Sequence, residues 1–244
     1  MGERSRWIRT ACGLGLLVLL ATPWAAWAGH EHHHFTNAYL LLMGRMTLPE
    51  RTLEFRYVPE YSVQDTGDPS GDRVSHTVSL GYGLADAFSV FINTESPPQP
   101  RDASARFKHW AVEGIYRFSL EPVELSVHGS LGTADGKSEG NVGLMAFKAW
   151  QRWAFHGDAL QSWDRREDGS RIEAAALHLG VYYRFALQGI AGLSLEVASR
   201  AEWSGAVTLG TFLGQNLFFG LDLKRGLSRR APDYHTALFL QWIR

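Results

Sequence analysis

The chain has 244 residues, enough for one large β-domain or two small domains. Charged residues make up 20% and the formal net charge is -1, which gives no electrostatic footprint for nucleic acid. Aromatics reach 12%, with 25 Gly, 9 Trp and 8 Tyr, while mean hydropathy is slightly negative; this combination argues against a helical membrane protein.

The first 28 residues read as an export signal. Arg4, Arg6 and Arg9 form a basic start, and an apolar run from Ala11 to Ala21 follows, too short to span a bilayer comfortably. Ala26-Trp27-Ala28 supplies a small-x-small cleavage pattern, so Gly29 is the expected mature N-terminus. Cleavage removes Cys12, the single cysteine, and leaves no thiol or disulfide chemistry.

Residues 29–50 form a His-rich leader. His30, His32, His33 and His34 offer several imidazoles within a few positions, so the segment could capture Cu(II), Ni(II) or Zn(II) without a preformed fold. The plain alternative is a solvated polar leader that binds metal incidentally. No resident cofactor is required. The next stretch, 35–48, reads as a periplasmic or plug element; an additional strand is the alternative.

Residues 51–244 carry period-2 alternation in segments of about 10 to 13 residues, the length of a tilted strand crossing a bilayer. The expected architecture is all-β, a transmembrane antiparallel up-and-down barrel. Twelve strands are predicted at 51–62, 72–84, 86–96, 105–118, 122–132, 140–150, 152–163, 171–185, 191–203, 205–213, 216–225 and 234–243. Tight turns are expected on one side, around 85–86, 120–122, 151, 186–190 and 214–215. Longer polar loops fall on the other side, around 63–71, 96–104, 133–139, 164–170 and 226–233. That asymmetry is the pattern of outer-membrane barrels, with the short turns and both termini in the periplasm. A short join near Ser204-Gly205 breaks it.

The alternation sorts side chains into two sets. Leu53, Phe55, Tyr57 and Tyr61 oppose Glu54, Arg56 and Glu60; Leu177, Leu179, Val181 and Tyr183 oppose His178, Tyr182 and Arg184. A membrane barrel turns the apolar set to lipid and the ionisable set inward. The expected lumen residues are Glu54, Arg56, Glu60, His109, Glu113, Arg117, Glu124, His128, His156, Asp158, His178, Arg184, Glu196, Arg200, Asp222 and Lys224. They line a narrow path or fill a plugged scaffold. Both signs are mixed, so no strong ion selectivity is expected. Tyr82, Phe88, Tyr116, Phe118, Trp153, Tyr183 and Trp242 fall near the short-turn ends, as an interfacial aromatic belt would.

Two further features bear on function. His128 and Ser130 share one strand face, the spacing of a His-Ser pair in outer-membrane lipid hydrolases, with Glu139 the nearest polar group to orient the imidazole. They fall with Glu124 on the predicted lumen side, whereas a lipid hydrolase needs them facing the bilayer. The charge-rich segments 164–169 and 224–230 are expected outside, as solvated loops or as contacts to lipopolysaccharide phosphates.

Leu80-Gly81-Tyr82-Gly83-Leu84-Ala85-Asp86-Ala87-Phe88 resembles a hairpin of predicted outer-membrane transporters, the group associated with the meta-pathway of phenol degradation. The resemblance implies a barrel passing small molecules and treats the motif as a structural turn without site residues. The ending Leu238-Phe239-Leu240-Gln241-Trp242-Ile243-Arg244 resembles the final strand of outer-membrane proteins, which the barrel-assembly machinery reads, except that an arginine follows the apolar run. The function expected from the whole is a narrow channel or transporter-like barrel for a small solute or metal ion, set in outer-membrane lipid. A plugged structural barrel and, last, a lipid hydrolase are the alternatives.

Overall fold

The computed structural model describes residues 45–100, 107–120, 122–134, 137–165, 171–185, 188–199, 202–228 and 231–244. The signal segment, His30, His32, His33, His34 and Arg200 lie outside them.

Twelve strands run in chain order: β1 (Leu53–Val63), β2 (Arg73–Ala85), β3 (Phe88–Pro100), β4 (His109–Leu120), β5 (Val123–Ala134), β6 (Lys137–Trp150), β7 (Trp153–Arg165), β8 (Arg171–Arg184), β9 (Gly189–Ala198), β10 (Glu202–Phe212), β11 (Leu217–Gly226) and β12 (Tyr234–Ile243). Each pairs antiparallel with its neighbours in sequence, and β1 pairs with β12, so the sheet closes. Closure leaves no unpaired edge, which a bilayer demands of any sheet it surrounds. The seam is made by reciprocal backbone bonds, Leu53 N to Arg244 O at 2.8 Å and Arg244 N to Leu53 O at 2.9 Å.

Several boundaries depart from expectation, β3 running on to Pro100 and β4 beginning at His109 among them, and two connections change. β9 ends at Ala198 and β10 begins at Glu202, so the join does not fall at Ser204-Gly205. Those two residues lie within β10, opposite Glu196 and Leu195, where small side chains pack rather than turn. The β5–β6 connection also shrinks, because Ala134 and Lys137 still pair across residues 135–136. The long-loop side is therefore uneven. At its largest loops, Asp233 accepts hydrogen bonds from the backbone and hydroxyl of Thr66, pinning the β1–β2 loop to the β11–β12 loop.

The faces decide what surrounds the barrel. Outward positions are apolar and exposed: Leu80, Ile92, Val112, Leu131, Leu144, Leu179, Leu193, Val207 and Leu223 among others. Inward positions hold the buried polar set, including Glu54, Glu60, Ser126, His128, Glu139, Asn141, Asp158 and Gln241. Water around that exterior would be unfavourable by about 25 cal/mol per Å² of apolar surface. The aromatics expected near the short turns lie there on the outer face, with Tyr116 stacked on Phe118 and Trp153 packed at 4.9 Å on Tyr183. An amphipathic ring is stable at that interface. The chain is a transmembrane β-barrel. A spin label at Leu179 should therefore show oxygen accessibility typical of lipid, and Leu179→Arg should cost about 2–4 kcal/mol near the bilayer midplane. A label shielded from both oxygen and water would contradict the orientation.

Candidate functional site

The lumen has two unlike halves. Toward the short turns, inward positions become apolar. Phe91, Ile115, Met145, Phe147, Tyr182, Ile190, Phe218 and Ile243 come from seven strands and pack together as one buried cluster. Their strands carry apolar residues on both faces at this height, as Tyr182-Tyr183 and Phe218-Phe219 illustrate. Glycines opposite make the room: a Cβ at Gly192 or Gly180 would strike the Tyr182 ring, and one at Gly210 the Phe218 ring.

Met46 and Leu48 belong to the same cluster, so the described part of the leader is inside the barrel. Residues 45–50 form no strand, and residues 29–44, where the tail and extra-strand alternatives mainly fall, lie outside the described residues. Met46, Thr47 and Leu48 are all buried, Thr47 and Leu48 completely. The hairpin Gly81–Ser89 receives them. The Leu48 amide donates to Ser89 Oγ at 2.8 Å, and Thr47 Oγ1 to the Asp86 carbonyl at 2.7 Å. Arg45 pairs with the Asp86 carboxylate at 3.0 Å, and the Glu50 amide donates to the same oxygen. Across the lumen, the Met46 amide donates to Glu124 on β5. The segment then turns through Arg51, which has a positive φ of 62°, and enters β1.

This gives the hairpin motif a second purpose that its sequence does not disclose. At Gly83 a Cβ would sit 1.9 Å from the Pro49 carbonyl oxygen, and at Gly81 it would meet Phe91 and Leu48. The glycines are therefore the seat of the segment. The backbone bond from Glu50, and then the Arg45 side chain, hold the Asp86 carboxyl below its ordinary 3.8. Because that value is depressed, the contact contributes at every pH above the ordinary carboxylate range. It weakens only as pH falls through the lowered value.

The other half of the lumen is polar. The expected residues Glu54, Arg56, His109, Glu113, Glu124, His128, His178, Glu196 and Asp222 lie on inward faces, and most are engaged with one another, although Glu54, paired with Ile243, and Glu124, paired with Phe147, stand level with the apolar cluster. His128 sits between Asp158, 3.0 Å from Nε2, and Glu113, 3.7 Å from Nδ1. Lys224 reaches Glu196 at 2.8 Å. Thr208 donates to Asp222, and Gln241 to Glu54. Arg117 pairs with Glu124 at 3.5 Å, beneath the docked Met46. Arg184 is at the rim, where its guanidinium binds the Gln151 carbonyl in the β6–β7 turn. Sequence reasoning did not single out Asn141 or His235, which are equally buried on the lumen wall, and it did not place Glu139 there.

The geometry does not assemble a His-Ser hydrolytic pair. His128 points inward to two carboxylates, and the Ser130 hydroxyl receives a hydrogen bond from Asn141 at 2.7 Å. Glu139 opposes Gly132, two steps further along β5, and does not orient the imidazole. Among the described residues, no three His, Cys, Asp or Glu side chains are arranged to hold a metal ion.

Solved structures with this fold are outer-membrane barrels. A COG4313 outer membrane channel from Pseudomonas putida F1 superposes with a TM-score of 0.62 at 12% identity, covering 81% of this chain and 97% of that one. The KdgM porin gives 0.57 at 12% identity, over 78% and 98%. The NanC porin gives 0.55 at 9% identity, over 78% and 98%. At such identities the likeness establishes the fold. No family model matches the chain, and no curated protein matches it.

Proposed function

We propose that the chain is an outer-membrane channel for small solutes, held shut at its periplasmic mouth by residues 45–50. The observation that carries this reading is the two-part lumen: an ion-lined half ends on an apolar layer, and the chain's own segment completes that layer. A scaffold needing no passage would have little use for a polar half lined by ten or so ionisable groups, each costly to desolvate. The names of the superposing barrels, channel and porin, agree with it. So does the hairpin resemblance to phenol-pathway transporters, which favours a small organic solute. In this orientation the leader lies in the periplasm. There His30, His32, His33 and His34 would be available to Cu(II), Ni(II) or Zn(II), and lipopolysaccharide would surround the opposite rim.

Planar-bilayer recording of the mature chain beside a variant lacking residues 29–50 tests the channel. Low or intermittent current from the whole chain and sustained current from the shortened one is the expected pair. If a heat-modifiable, folded barrel of both kinds carried neither current nor solute flux into liposomes, the protein would be a plugged structural barrel. Calorimetry with the three metal ions, with and without residues 29–34, tests the tail; equal heats would remove it.

A further inference from the structure

We propose that a belt of ionisable side chains around the polar half of the lumen is a cation-selective station whose selectivity falls as its imidazoles take up protons. The belt can be followed from contact to contact around nearly the whole wall. Asn93 on β3 donates to Glu113 on β4 at 3.3 Å. Glu113 faces His128 on β5, and His128 reaches over β6 to Asp158 on β7. Asp158 is the cross-strand partner of His178 on β8, which is the partner of Glu196 on β9. Glu196 binds Lys224 on β11, across β10. Lys224 is the cross-strand partner of His235 on β12, whose Nε2 is 3.8 Å from Glu60 on β1. Glu60 accepts from Ser75 on β2 at 3.0 Å.

The two strands that the belt passes over, β6 and β10, are built to let side chains cross. A Cβ on Gly143 of β6 would lie 2.1 Å from His128 Nε2, so only glycine leaves that imidazole its path to Asp158. On β10 the corresponding positions are Ser204 and Ala206, small residues between Glu196 and Lys224.

Charge within the belt is lopsided in a way that a count over the whole lumen hides. Glu60, Glu113, Asp158 and Glu196 supply four carboxylates, Lys224 one ammonium and His128, clamped between Glu113 and Asp158, one imidazolium, leaving two negative charges when the other imidazoles are neutral. His178 and His235 are those two imidazoles, and protonating both brings the belt to zero. Rings of carboxylates favour cations in narrow pores, and histidine is the side chain that changes charge near neutral pH. The groups facing these imidazoles are Glu113 and Asp158 for His128; His156, Asp158, Glu196 and Lys224 for His178; Glu60 and Lys224 for His235.

An independent observation points to a ligand. His156, one step toward the short turns from Asp158, is buried with 6% exposure, and its Nδ1 has no hydrogen-bond partner among the described residues. Its ring lies 5.5 Å from that of His178. A buried ring nitrogen left open beside the belt suits a solute carrying an N–H donor, such as a small ammonium. The docked segment does not confound a pH effect, since Asp86 stays ionised well below the histidine range.

The inference deepens the channel reading, and its test separates the two. In a tenfold KCl gradient, the mature chain should show a K⁺/Cl⁻ permeability ratio of about 3 or more near pH 7.5, falling toward about 1 near pH 5. Glu196→Gln should lower the neutral-pH ratio and Lys224→Met should raise it. A ratio at or below unity near pH 7.5, or one unmoved by pH, overturns the proposal. If no current flows, ¹⁵N-histidine spectra of the protein in micelles are titrated with methylammonium chloride and, separately, sodium acetate. Imidazole shifts with methylammonium alone would keep the cation station and sink the channel reading. No shift, or equal shifts with both salts, would sink the station itself.

Discussion

Gly83→Ala is expected to drive residues 46–50 out of the periplasmic mouth. The added methyl would lie 1.9 Å from the Pro49 carbonyl oxygen and 3.0 Å from that of Leu48, both backbone atoms that no rotamer change can move. β2 cannot give way easily, because it is laddered to β1 and β3 along its length and Gly83 itself bonds Thr52 and Arg51. The segment, held by a handful of contacts at one rim, is the part that yields. Overpacking of this kind costs about 1–3 kcal/mol. That shifts the docked population by about fivefold to a hundredfold, at tenfold per 1.4 kcal/mol. A Thr47→Cys reporter, buried when docked, should react with a water-soluble maleimide faster by that factor in the Gly83→Ala background. An unchanged rate would mean that Gly83 is not the seat.

His128→Leu is expected to destabilise the barrel by about 3–5 kcal/mol, the usual cost of removing one member of a buried charged cluster. The loss is not chiefly one of packing. Glu113 and Asp158, with side-chain exposures of 12% and 6%, would be left without the imidazole that lies between them. Guanidinium unfolding in lipid vesicles measures the change. Adding Asp158→Asn should recover a large part of it, because the uncompensated charge then disappears, and the non-additivity reports the coupling. Equal midpoints for wild type and His128→Leu would show that lumen water solvates the carboxylates well enough by itself.

Much of the wall was legible because one face of every strand meets hydrocarbon and must be apolar throughout, which writes a period of two into the chain. That rule located all twelve strands and the aromatic belt. It failed where the residues are small. Ser204-Gly205 reads as a turn by composition, yet it is a strand interior, with Ser204 between Glu196 and Gly226 and Gly205 between Leu195 and Arg225. The lumen was legible as a set of ionisable residues, without its connections. Long side chains reach past a neighbouring strand, as His128 does over Gly143, and the distance from 128 to 158 in sequence carries no sign of it. Paired aromatics such as Tyr182-Tyr183 and Phe218-Phe219 were the available signal for an apolar layer within the bore. The hairpin glycines gave no such signal, since a glycine that admits another backbone looks like one that turns its own.

The closure between Leu53 and Arg244 has a consequence for how the protein is made. The two partners stand at opposite ends of the barrel sequence, so the last rung forms only after every intervening hairpin exists. Gln241 and Glu54, bonded across the same junction, are 187 positions apart. Loops of that size are slow to close, and until they do both flanking strands present open edges able to template aggregation. Biogenesis of this protein should thus be limited by a single late zippering event, with vulnerability to proteolysis and misassociation concentrated in the interval before it.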